Sequence, residues 1–126
     1  MTTVLLIDRS QVVLNSARAL LSHYPDIKVV GAVTTLSDAI PLIEEFIPDV
    51  TVLDLSMTDE GDLSAQQGQT LAENSRSVVC MPLREEKDIS KLASLIGVAV
   101  CIDKLDLYHE LPKAIREVGM SVAAPN

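Results

Sequence analysis

Pro48-Asp49-Val50-Thr51-Val52-Leu53-Asp54 reads as a turn, a short run of apolar and β-branched residues, and a carboxylate at its end. The run has no polar alternation, which marks a strand covered on both faces. Working outward, the same pattern recurs. Val4-Leu5-Leu6-Ile7 stops at Asp8, Ile27 to Val33 forms a second run with Gly31 near its end, Val78-Val79-Cys80-Met81 stops at Pro82, and Val98 to Ile102 runs into Asp103-Lys104.

Helical spacing fills the gaps between these runs. Val13, Ala17, Leu20, Leu21 and Tyr24 predict a first helix capped by Ser10 and ended by Pro25. Thr35 to Phe46 predicts a second, with Ser37 as cap, Pro41 in its first turn, and Ala39, Ile40, Ile43 and Phe46 inward. Thr58 to Asn74 is polar and glutamine-rich, with weak periodicity through Leu63, Gln67 and Leu71. Glu86 to Ile96 predicts a fourth helix with Gly97 as C-cap, and Tyr108 to Val118 a last one using Leu111, Ala114, Ile115 and Val118. Five strand-then-helix repeats imply an α/β domain with a parallel sheet and helices on both faces. The domain is expected over 1–119, with 120–126 a tail or the start of a linker to an output domain.

Composition narrows the function. Among 126 residues, Phe46, Tyr24 and Tyr108 are the only aromatics, so the core is aliphatic and base-stacking platforms are missing. A formal net charge of −8 repels nucleic-acid backbones. No apolar run reaches membrane-spanning length, and Met1-Thr2-Thr3 has no basic region of a signal peptide. Two cysteines, Cys80 and Cys101, fit a reducing compartment, and a cytoplasmic location is expected. No nucleophile–base pair or glycine-rich cofactor loop is present, so an enzyme in its own right is the least favoured class.

In an open parallel sheet, sites form beyond the C-terminal ends of the strands. Asp8, Asp54 and Lys104 end the first, third and fifth strands, and would bring two carboxylates and an ammonium together. Each taken alone reads more readily as a turn former, a helix cap or a solvated lysine; their joint placement is what points to a site. Thr34, Thr35 and Ser37 read as loop and cap residues, and His23 and His109 as surface residues without a metal role. Cys80 and Cys101 read as small buried hydrophobes, with a redox pair the weaker alternative.

From Thr3 to about Val118 the chain resembles bacterial two-component response-regulator receiver domains, on the NarL/LuxR-type branch. Val4-Leu5-Leu6-Ile7-Asp8, Pro48 to Met57, Gly97 and Asp103-Lys104 carry the resemblance. It implies a CheY-like, flavodoxin-like doubly wound sheet of five parallel strands in the order 2-1-3-4-5. It implies Asp54 as phosphoacceptor, Lys104 paired with the phosphoryl oxygens, and Asp8, Asp54 and the carbonyl of Ser56 as Mg²⁺ contacts. It also implies a histidine kinase as phosphodonor and a homodimer through the face of the fourth helix, fifth strand and last helix. Leu83, Leu95, Val100, Leu105 and Leu107 would supply apolar area on that face, and the charge run Arg84 to Asp88 borders it. DNA would be reached only through a separate output domain.

Three positions depart from the family pattern. Arg9 stands where a second acid is usual, a change of about two charge units against a metal. Pro82 replaces the hydroxyl residue ending the fourth strand, and Cys101 replaces the switching aromatic ring. Thr58 in place of proline is milder. Together they predict an atypical receiver with weak, absent or metal-independent phosphorylation and Mg²⁺ disfavoured, in which Arg9 either pairs with Asp8 and Asp54 as a built-in cation or points outward and leaves the site empty. The alternative is a pseudo-receiver that senses a small ligand or a protein at the degenerate pocket without a kinase.

Overall fold

A computed structural model describes residues 1–54, 78–81, 100–102 and 106–123. Five parallel strands, β1 (Thr2–Ile7), β2 (Ile27–Val33), β3 (Val50–Asp54), β4 (Val78–Met81) and β5 (Val100–Cys101), form one sheet in the order β2-β1-β3-β4-β5. That is the expected doubly wound order. Three described helices, α1 (Gln11–Leu21), α2 (Leu36–Phe46) and α3 (Leu107–Ala123), cover it. The helices predicted within 58–74 and 86–96 lie outside the described residues.

The apolar runs are buried on both faces because alternate residues serve different layers. Val4, Leu6, Val50, Val52 and Val79 pack with Leu14, Ala17 and Leu21 of α1 and with Leu111, Ala114 and Ile115 of α3. Leu5, Ile7 and Leu53, equally buried, point to the opposite face, where α2 buries Leu36, Ala39 and Ile43. Each fully buried aliphatic side chain contributes about 1.5–3 kcal/mol. Gly31 lets α2 approach closely: a Cβ there would stand 2.9 Å from Leu42 Cδ1 and 3.0 Å from Leu5 Cδ1.

Several local devices fix the frame. Ser10 caps α1 by accepting from the Val13 N–H. Thr3 and Asp49 interlock at the entry of β1 and β3. The Thr3 N–H donates to Asp49 Oδ2 (2.9 Å), and the Asp49 N–H donates to Thr3 Oγ1 (3.0 Å). β2 carries an extra residue, Val30, where the register with β1 shifts from Val4↔Val29 to Leu5↔Gly31.

Some boundaries differ from expectation. α1 stops at Leu21 with Ser22 as C-cap, before Pro25 is reached, and its buried stripe includes Leu14. Thr35, not Ser37, caps α2: its hydroxyl accepts from the Asp38 N–H at 3.1 Å. Pro41 is therefore the sixth residue of α2 and lies beyond the first turn, where it removes one helical hydrogen bond. Pro112 is placed likewise in α3. Phe46 is 46% exposed and does not join the buried stripe, because α2 ends there and the chain turns away at Ile47. Leu107, expected on an outer face, is buried in the core. α3 continues through Gly119 to Ala123, across the stretch read as a tail. Among the described residues, no helix is long and apolar enough to cross a membrane.

Candidate functional site

β1 and β3 are adjacent, and Ile7 pairs with Leu53. The next residue on each chain is an aspartate, so Asp8 and Asp54 stand side by side at the C-terminal edge of the sheet. Both are buried, at 0% and 1% exposure. The backbone holds Asp8 by donation of its N–H to the Val33 carbonyl (3.1 Å), and its Oδ1 accepts from the Ser10 N–H at 2.8 Å. The residue that caps α1 thus also orients Asp8.

Two ionised carboxylates in a dry neighbourhood repel one another and demand nearby positive charge. Arg9 is next in sequence and is an exposed residue, so it stands at the rim of this site. The fourth strand brings Met81 into register with Asp54. Pro82, Lys104 and Ser56 lie outside the described residues. Cys101 is described as part of β5, in register with Cys80 of β4, so the two cysteines do occupy neighbouring strands. His23 and His109 are exposed, as expected of surface residues. Among the described residues, no cluster of histidine, cysteine and carboxylate side chains is arranged for a metal ion. Mg²⁺ favours several hard oxygens and little competing positive charge, and the described residues offer the two carboxylates of Asp8 and Asp54 at this edge.

Sequence reasoning did not anticipate a contact at the opposite end of the sheet. Arg116 of α3 donates to both oxygens of Asp26, Nε to Oδ2 at 3.0 Å and Nη2 to Oδ1 at 2.9 Å. Its guanidinium also lies 4.7 Å from the centre of the Tyr24 ring. The contact spans 90 positions, and no short-range pattern could reveal it.

No family model matches the chain. The chain is 27% identical to the transcriptional regulatory protein DesR of Bacillus subtilis, over 99% of its own length and 63% of that protein. It is 32% identical to a protein-glutamate methylesterase/protein-glutamine glutaminase of Rhodopseudomonas palustris, over 92% of its own length and 33% of that protein. The chain therefore spans under two thirds of the curated relatives it matches. Among solved structures, the signal receiver domain of the response regulator NarL from Mycobacterium tuberculosis superposes with a TM-score of 0.77 at 23% identity, covering 94% of this chain and 95% of that one. The response regulator domain of Thermotoga maritima CheB superposes at 0.77 with 20% identity, covering 99% of both chains. The chain therefore has the fold of response-regulator receiver domains and resembles the regulators named above.

Proposed function

We propose that this chain is an atypical, cytoplasmic receiver module, in which the Asp8–Asp54 end governs dimerisation or a transcriptional output domain. The single observation that carries the reading is the pair of buried aspartates at the ends of adjacent strands. In the transfer step, an Asp54 carboxylate oxygen attacks the phosphorus of a phosphohistidine on a kinase. A P–O bond forms, the P–N bond breaks, and the imidazole leaves with the electron pair. Incoming phosphoryl oxygens need cations, and Lys104 and the rim guanidinium of Arg9 supply them.

Two features support weak or metal-independent phosphorylation. Asp54 is 1% exposed, which restricts the approach of a phosphodonor to its carboxylate. Arg9 occupies the position where a second acid would favour Mg²⁺. The expected dimer uses the fourth helix, fifth strand and last helix, with Leu107 removed from its apolar area because that side chain is core. DNA is reached through an output domain outside this chain.

The Arg9→Asp variant tests the reading. It restores an acidic pair, and its phosphorylation by acetyl phosphate is expected to become faster and dependent on Mg²⁺. An unchanged rate with no Mg²⁺ dependence would show that Arg9 is not what sets the site apart. The phosphorylation-independent reading, sensing of a small ligand or protein at the same pocket, then gains the weight.

A further inference from the structure

At the N-terminal edge of the sheet, opposite the aspartates, two patches match each other in charge and polarity. The first is the C-terminal end of α2. Glu44 and Glu45 are exposed there, beside Phe46 and Ile47, which are 46% and 49% exposed. The described residues include five exposed large hydrophobics, and only these two are adjacent in sequence. Ile47 also adopts the left-handed conformation, φ 43° and ψ 66°, while its N–H donates to the Ile43 carbonyl at 2.9 Å. A β-branched residue is strained in that conformation, where glycine or asparagine is usual. Strain kept at a surface position points to a use for the side chain.

The second patch is an open cavity of about 380 Å³ between α1 and the start of β2, on the other face of the sheet from α2. Leu21, Ile27 and Val29 supply its apolar floor, and Arg18 and Lys28 its basic rim. Neither cation has an ion-pair partner among the described residues, in a chain with a net charge of −8.

We propose that the acidic, apolar knob Glu44-Glu45-Phe46-Ile47 of one copy docks into the basic-rimmed cavity of a second copy of this chain. Phe46 and Ile47 cover the apolar floor, and the two glutamates face Arg18 and Lys28. Because knob and cavity are different surfaces, the contact is head-to-tail and propagates beyond two copies unless geometry closes a ring. The patches are small and the copies carry like net charge, so association is weak and concentration-dependent.

Sedimentation velocity over a concentration series tests this. The wild-type chain is expected to show an average mass that climbs above 13.6 kDa with concentration. Phe46→Asp and Lys28→Glu should each weaken association by about tenfold or more. Both sites are exposed, and thermal melting of each variant checks that it folds. Mixing the two variants pairs an intact cavity with an intact knob, so a 1:1 complex should form and grow no further. A chain that stays monomeric throughout overturns the proposal. So does growth beyond a dimer that survives both substitutions, since the dimer of the proposed function uses another face, and so does a mixture that fails to recover binding.

Discussion

Arg116 grips Asp26 through two parallel hydrogen bonds of 3.0 and 2.9 Å while its guanidinium lies over the Tyr24 ring. The contact ties the middle of α3 to the turn between α1 and β2. Tyr24 itself packs against the core, so the tether has a rigid footing.

The hydrogen bond from Arg116 holds the Asp26 carboxyl below its ordinary value of 3.8. A carboxylate with a lowered folded-state pKa contributes stability that is fully present above its unfolded pKa. That contribution is lost as pH falls through the folded pKa. Both groups are solvated, so the effect on global stability is small. NMR titration of the Asp26 carboxyl should give a midpoint below 3.8 in the wild type, and a return toward that value in Arg116→Gln.

Ile47 stores strain at the end of α2. Replacement by glycine removes the clash of its Cβ in the left-handed region, and Ile47→Gly should gain about 1 kcal/mol in chemical denaturation. The same variant should associate less than wild type in sedimentation, since it loses an apolar side chain from the knob. Greater stability with unchanged association would separate the strain from any docking role.

Asp8 and Asp54 bring like charge together at 0% and 1% exposure. Removing one of the two charges relieves repulsion and desolvation together. Asp54→Asn keeps the side-chain shape and should stabilise the fold by on the order of 1 kcal/mol. A melting temperature that falls instead would show that the Asp54 charge is well compensated by its surroundings.

The strands were legible because each is a short, mainly aliphatic run, and four of the five end at a charged or helix-breaking residue. Asp8 and Asp54 were legible for the same reason: a carboxylate at the end of a fully buried strand can only sit at the edge of the sheet. Helix ends were harder. Thr35 and Ser37 are both capping residues, and choosing between them depends on where Leu36 meets the core. Pro41 and Pro112 show that the burial of one helix face outweighs a lost hydrogen bond beyond the first turn. Phe46 misled because its spacing matches the buried stripe of α2, while the left-handed turn at Ile47 ends the helix and leaves the ring at the surface. Leu107 misled in the opposite direction, since exposure at a helix start depends on tertiary packing. The Arg116–Asp26 contact follows from folding alone.

The proposed receiver lacks efficient, Mg²⁺-driven phosphorylation at Asp54. Intact mass after incubation with acetyl phosphate, with and without Mg²⁺, tests it most directly, with Asp54→Asn alongside. Little gain of a phosphoryl group is expected, unaffected by Mg²⁺, with any gain absent from Asp54→Asn. Rapid and complete addition of one phosphoryl group that requires Mg²⁺ would contradict it and mark an ordinary receiver.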